Sequence, residues 1–275
     1  MADANANTNT NTTNTDDNLF SVKGKRVFVT GGASGIGRMI SEGLASRGAR
    51  VFTCGRKQDS IDSLLSELRD KRGFDVNAEP ADLSKLAEIE RICQRVAALW
   101  DGSLDVLVNN AGATWGAPID EYPESGWDKV FDLDVKSLFF VTQKCLPMLR
   151  KAGQPPDAPS RIINIGSISG IEYPMDDAWA YHPAKAAVLH LTGTLAKKLV
   201  KDGITVNAIA PGLFPSKMTA FMMPGGDDSG VSQFIPMGRT GRPSDIIGTV
   251  IYLASQAGAF TTGATIKVDG GSALG

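Results

Sequence analysis

The chain is poor in the residues that build metal sites and disulfide scaffolds. Its 275 residues include two histidines, His182 and His190, and three cysteines, Cys54, Cys93 and Cys145, far apart and without a C-x-x-C pair. This spacing argues against a zinc module or a disulfide framework, and it fits a reducing compartment, so a cytoplasmic protein is expected. Charge of one sign is also missing. The 28 Lys and Arg against 30 Asp and Glu leave a formal net charge of -2, so no basic field marks a nucleic-acid partner. No run approaches the ~18–20 apolar residues that span a bilayer, and no membrane association is expected. The chain does have enough apolar residues, 42% of the total, to bury the core of one large α/β domain.

The first 18 residues, MADANANTNTNTTNTDDN, hold no bulky apolar side chain beyond Met1. Such a tract cannot offset its ordering entropy by burial, and residues 1–20 read as a disordered Asn/Thr-rich extension. It has neither the basic start and apolar core of a secretory signal nor the arginines of a transit peptide, the first being Arg26. From there residues 21–275 read as a single domain.

Strand-like and helix-like segments alternate along that domain. Apolar, β-branched runs recur at 26–30, 50–54, 104–110, 161–166, 204–210 and 265–269, with a weaker candidate at 75–82. Helical patterns occupy the intervals: one begins near Ile36, and others cover about 59–71, 84–100, 124–151, 180–202 and 243–257. In the 180–202 helix the apolar stripe reads as Ala184, Val188, Leu191, Leu195 and Leu199. Alternation of this kind requires crossover connections, hence a parallel, doubly wound sheet with helices on both faces. The stretch 212–242 breaks the alternation and is rich in Gly, Pro and Met. It follows a strand C-terminus, where such sheets bind ligands, and reads as a substrate lid at about 212–240.

Two constellations carry chemistry. Directly after the first strand, Thr30-Gly31-Gly32-Ala33-Ser34-Gly35-Ile36-Gly37 opens the first helix. Glycines permit a tight turn and close approach to a pyrophosphate, and the helix N-terminus offers free N–H groups to it. The second strand ends in Gly55-Arg56-Lys57, with no acidic residue to bond a ribose 2′-hydroxyl. Arg56 and Lys57 suit a 2′-phosphate instead, which predicts NADP(H). Further along, Tyr181 and Lys185 stand four residues apart on one helix face, and Ser167 ends the fifth strand. A neighbouring ammonium favours the phenolate of a tyrosine, which makes the pair an acid/base candidate.

Together TGGASGIG (30–37), Asp82-Leu83, NNAG (109–112), NIGS ending in Ser167, YHPAK (181–185), PG (211–212) and DGG (269–271) resemble the short-chain dehydrogenase/reductase family over about residues 22–272. The resemblance implies a Rossmann-type sheet of about seven strands in the order 3-2-1-4-5-6-7. It implies that Gly31, Ser34, Gly35, Ile36 and Gly37 hold the pyrophosphate and adenosine ribose, and that Arg56, with Lys57, faces the 2′-phosphate. Asp82 and Leu83 would border the adenine, and Asn110, Ala111 and Gly112 the ribose. Pro211, Gly212, Phe214 and Ser216 would lie toward the nicotinamide carboxamide. The implied catalytic set is Ser167, Tyr181, Lys185 and Asp134. Asp134 departs from the family pattern, in which an Asn holds a water that relays protons from the lysine. Aspartate is expected to hold the same water with an altered pH dependence.

The motif details look most like β-ketoacyl and carbonyl reductases. The expected activity is NADPH-dependent reduction of an apolar ketone to a secondary alcohol, by a homodimer or homotetramer. The alternatives are a dehydrogenase of alcohols, steroids or sugars working in oxidation, and a dinucleotide sensor without turnover. His182 and His190 read as incidental, and Trp115, just after NNAG, reads equally as a residue facing the pocket or as a core residue.

Overall fold

The computed structural model describes residues 18–155, 157–174 and 176–274. The tract read as an extension therefore lies outside the described residues up to residue 17. Among the described residues β1 (Arg26–Thr30), β2 (Arg50–Gly55), β3 (Val76–Pro80), β4 (Val106–Asn109), β5 (Ser160–Ile165), β6 (Ile204–Pro211) and β7 (Thr265–Val268) form one sheet. Its order is β3-β2-β1-β4-β5-β6-β7, and every pairing is parallel, as expected. The connecting helices are α1 (Gly35–Ala45), α2 (Gln58–Leu65), α3 (Leu86–Leu99), α4 (Glu124–Phe131), α5 (Ser137–Ala152) and α6 (Tyr181–Leu199). A single turn, α7 (Ser229–Ser232), and then α8 (Pro243–Ala254) complete the helices. None is long and apolar enough to cross a membrane.

Period-two alternation within the strands divides the core into two layers. Val27 and Val29 of β1 pack with Ile40 and Leu44 of α1 and with Ile246 and Val250 of α8. Phe28, between them, faces the other way, toward Ile92 of α3, Val141 and Met148 of α5 and Leu199 of α6. Helix α3 buries Ile89, Ile92, Cys93 and Val96, the spacing of one helical face. Each such side chain contributes about 1.5–3 kcal/mol when fully buried, so the sheet's central strands anchor the fold.

Two helices differ from the sequence reading in ways that bear on the site. The pattern over 124–151 predicts one regular helix, but a wide π turn at Asp132–Lys136 separates α4 from α5. That turn buries Leu133 and Asp134. In α6 the buried positions are Ala184, Lys185, Val188, Thr192, Ala196 and Leu199, while Leu191 and Leu195 are half-buried at its flanks. The reason is polar. Asn109 at the end of β4 donates to Asn164 Oδ1 (2.9 Å) and to Thr142 Oγ1 (3.0 Å), and Asn164 donates to Thr192 Oγ1 (2.9 Å). Thr192 thus takes a core position because the strand amide needs an acceptor there. This buried chain of amides and hydroxyls ties β4, α5, β5 and α6 together just below the strand ends that carry the chemistry.

Candidate active site

In the sheet β1 has β2 on one side and β4 on the other, so the chain winds away in opposite directions from this point. A crevice opens beyond the C-terminal ends of the strands. Gly31, Arg56, Asn110, Ser167 and Gly212, which follow five different strands, all line one cavity of about 380 Å³ there.

The glycine loop is shaped at one end of this cavity. Gly31 and Gly35 have φ of +67° and +53°, values that side chains rarely adopt. A Cβ on Gly31 would lie 3.1 Å from Ala111 Cα, so the loop and the strand after it are already in contact. Asn110 braces the turn: its side-chain amide donates to Thr30 O at 2.9 Å, and Thr30 Oγ1 accepts the Asn110 and Ala111 N–H groups. Ser34 is the N-cap of α1 but its side chain makes no capping bond, which leaves the first-turn N–H groups facing the cavity without that partner. At the tip of β2, Arg56 and Lys57 are exposed and form no ion pair among the described residues. The loop, the uncapped helix end and the two cations fit a dinucleotide with an additional phosphate.

The other end holds the acid/base group. Tyr181 opens α6, and Lys185 follows one turn later with its Nζ 5.4 Å from the centre of the Tyr181 ring. Lys185 Nζ donates to Ile165 O at 3.2 Å and lies 3.1 Å from Asp134 Oδ2; the two side chains are 6% and 0% exposed. Asp134 therefore meets the lysine directly, rather than only through the water expected at this position. Its other oxygen accepts the Ala113 N–H at 2.7 Å. Burial alone would lower Lys185, but the Asp134 carboxylate and Tyr181 outweigh it and hold the ammonium above its ordinary value. Burial pushes the Asp134 carboxyl up, against the pull of Lys185 and the Ala113 N–H. Ser167 caps the short turn Ile168–Gly170, its Oγ accepting the Ser169 N–H at 3.1 Å.

Of the predicted residues, all but Asp82 line the cavity. Asp82 instead turns its carboxylate onto Ser84 at the approach to α3. From the stretch expected to form a lid, Phe214, Ser216, Lys217, Met218 and Thr219 reach the wall. Met223 is buried, and Phe221 points outward at 79% exposure, so the methionine-rich stretch is not a uniform apolar roof. Trp115 packs behind the site against Gly126, where a Cβ would lie 2.7 Å from the indole, and shares an apolar cluster with Tyr181. His182 bonds Asp176 at 2.7 Å, and His190 is exposed. Sequence reading named Thr30 only as the first residue of the glycine-loop motif and did not find Ser60 or the Ile165 carbonyl, since neither carries a motif.

Comparison with known proteins agrees with this geometry. The family model described as enoyl-(acyl carrier protein) reductase matches residues 31–273. A rhamnolipids biosynthesis 3-oxoacyl-[acyl-carrier-protein] reductase of Pseudomonas aeruginosa is 46% identical over 255 residues, covering 92% of this chain and 97% of that protein. The FabG 3-oxoacyl-[acyl-carrier-protein] reductase of Thermotoga maritima is 33% identical over 250 residues, covering 91% and 98%. Among solved structures, the Pseudomonas aeruginosa RhlG/NADP active-site complex superposes with a TM-score of 0.87 at 46% identity, covering 94% of this chain and 99% of the other. The chain belongs to the short-chain dehydrogenase/reductase family. Within it, the chain is an NADP(H)-dependent ketoreductase.

Proposed function

We propose that the ketone is an apolar one, with a β-ketoacyl compound as the leading class, and that Tyr181 donates the proton to its oxygen. The observation that carries this reading is the single cavity that joins the glycine loop to Tyr181, Lys185 and Ser167. When bound there, NADPH would supply the hydride for the carbonyl carbon. Ser167 donates its hydroxyl proton in a hydrogen bond to the carbonyl oxygen and fixes its orientation. Tyr181 gives up its phenolic proton to that oxygen as the alcohol forms, and the Lys185 ammonium steadies the phenolate left behind. Asp134 holds Lys185 in place and charged.

Gly31, Ser34, Gly35, Ile36 and Gly37 present the pyrophosphate site, while Arg56 and Lys57 hold the 2′-phosphate. Leu83 covers the adenine, with Asp82 beside it. Asn110, Ala111 and Gly112 line the ribose path, and Pro211, Gly212, Phe214 and Ser216 wall the nicotinamide end. The segment at about 212–240 acts as the substrate lid through Lys217, Met218 and Thr219. Residues 21–275 work as one catalytic domain, and 1–20 as an extension. A homodimer or homotetramer is supported by the exposed aromatics Trp127 and Phe139 on α4 and α5. A reducing, cytoplasmic setting is supported by three cysteines that are all free.

The test is loss of NADPH absorbance with β-ketoesters, simple ketones and quinones, in wild type and in Tyr181→Phe. Turnover in wild type should fall about 10²- to 10⁴-fold in the variant with NADPH binding retained. Wild-type turnover in Tyr181→Phe would refute the role.

A further inference from the structure

The Asp134–Lys185 pair stands directly behind the proton donor. The carboxylate is fixed at both oxygens: one lies 3.1 Å from the ammonium, and the other accepts the Ala113 N–H at 2.7 Å. It therefore cannot swing away from the lysine without abandoning a buried hydrogen bond. The lysine is in turn held between the carboxylate, the Ile165 carbonyl at 3.2 Å and the Tyr181 ring. A cation beside a phenol favours loss of the phenolic proton. An anion just beyond that cation opposes the loss, and inside a protein the opposition is not screened away.

Resting on Tyr181 as the proton donor, we propose that Asp134 is a positioning residue that offsets the Lys185 charge at Tyr181 and extends ketone reduction to higher pH. Reduction needs the phenol with its proton in place. With an uncharged residue at 134 Lys185 itself loses support for its charge, but as long as it keeps its proton the ammonium acts alone on the phenol, and the phenolic proton is lost at lower pH. Two charges at these separations, in an effective dielectric of about 20, make the carboxylate's share on the order of one pH unit. The overall equilibrium between ketone and alcohol is untouched; what moves is the pH at which each direction runs fastest.

The other charged or titratable groups near Tyr181 do not duplicate this effect. His182, next along α6, is bonded to Asp176, whose side chain is 63% exposed. Lys129 of α4 lies 4.7 Å above the Trp115 ring and is exposed, and Tyr122 donates to the Trp115 carbonyl. Asp176 and Lys129 face water and are screened by it, whereas His182 and Tyr122 are half-buried and Asp134 and Lys185 are shielded from water.

The experiment pairs the pH profile of kcat/KM for ketone reduction with a titration of phenolate absorbance in the cofactor-free protein, using Tyr181→Phe as the blank. Asp134→Asn retains an oxygen for the Ala113 N–H. It should move the alkaline fall of reduction down by about one pH unit, and the Tyr181 phenolate signal with it. Profiles that coincide with wild type, or that move upward, overturn the proposal. If Asp134→Asn does not fold, because Lys185 is left without its counter-charge, Asp134→Ser removes the same charge and leaves room for a water beside the ammonium. The same downward movement is expected there, and its absence likewise overturns the proposal. Asp134→Glu, which keeps the charge, should return the alkaline fall toward wild type. Failure of the underlying assignment shows up separately, as wild-type turnover in Tyr181→Phe.

Discussion

Gly170 closes the turn after Ser167 and rests against the backbone of α6 at the catalytic lysine. A Cβ at this position would lie 2.6 Å from Ala186 N, 2.6 Å from Lys185 C and 2.9 Å from Lys185 O. Ordinary contacts of this kind sit at ~3.5–4.0 Å, so Gly170→Ala demands a displacement of roughly 1 Å. All three neighbours are backbone atoms, and no flexible side chain can give way. The turn must therefore move off the helix and carry Ser167 with it, since Ser167 Oγ is bonded to the Ser169 N–H. Overpacking of this type costs about 1–3 kcal/mol in stability, and a misplacement of about 1 Å costs on the order of 10²-fold in rate. Reduction should fall about 100-fold in kcat/KM, while NADPH affinity, set largely at the far end of the cavity, stays within about twofold. Gly193→Ala is the control on the same helix, since nothing lies within 4 Å of a Cβ there. It should leave turnover unchanged and add up to about 1 kcal/mol through helix propensity. Steady-state kinetics and thermal unfolding of both variants decide the matter. Wild-type kcat/KM in Gly170→Ala would show that the clash is absorbed without moving Ser167, and would refute this coupling of turn to helix.

Two further outcomes are expected. Arg56→Ala should raise the KM for NADPH about tenfold or more while leaving NADH within about twofold, because only the former carries a phosphate for the guanidinium; equal losses with the two cofactors would remove Arg56 from the 2′-phosphate site. At the opposite end of the sheet, Arg26 Nε and Nη2 bond the two Asp105 oxygens at 2.7 and 2.9 Å, and the Arg26 N–H adds a third bond at 2.8 Å. Burial alone would push the Asp105 carboxyl up, but the bonds from Arg26 outweigh it and hold it below the usual range. A folded value below the unfolded one gives stability that is present above the unfolded value, about 3.9, and lost as pH falls through the folded one. Asp105→Asn should therefore cost about 1.5–3 kcal/mol in urea unfolding at neutral pH, with the gap to wild type closing below about pH 4. A gap that stays constant into acid would contradict this.

Strand positions were legible because burial on both faces leaves continuous apolar runs: β1 spans the residues that its pattern marks, and β4 differs only by trimming at each end. The weak candidate near Asp75 proves to be β3, an edge strand, which explains why Pro80 and Glu79 are tolerated in it. The glycine loop and the Tyr181–Lys185 pair were legible from spacing, since helix geometry turns four residues into a shared face. Contacts made across the chain were not. That Asp134 touches Lys185, that Trp115 rests on Gly126 and that Thr192 displaces leucines from the core all depend on how elements stack, which local periodicity does not encode. The stretch 212–242 shows the same limit, because its composition marks a loop without saying that Met218 borders the cavity while Phe221 does not.

The wide turn between α4 and α5 has a consequence for how this enzyme tolerates length changes. A regular helix rotates by about 100° per residue, and the π turn at Asp132–Lys136 holds a surplus residue that throws α5 out of phase with α4. Deleting one residue between Trp127 and Asp134 would turn the carboxylate by about 100° relative to α4, away from Lys185, and present a neighbour instead. In this segment the number of residues matters as much as their identity.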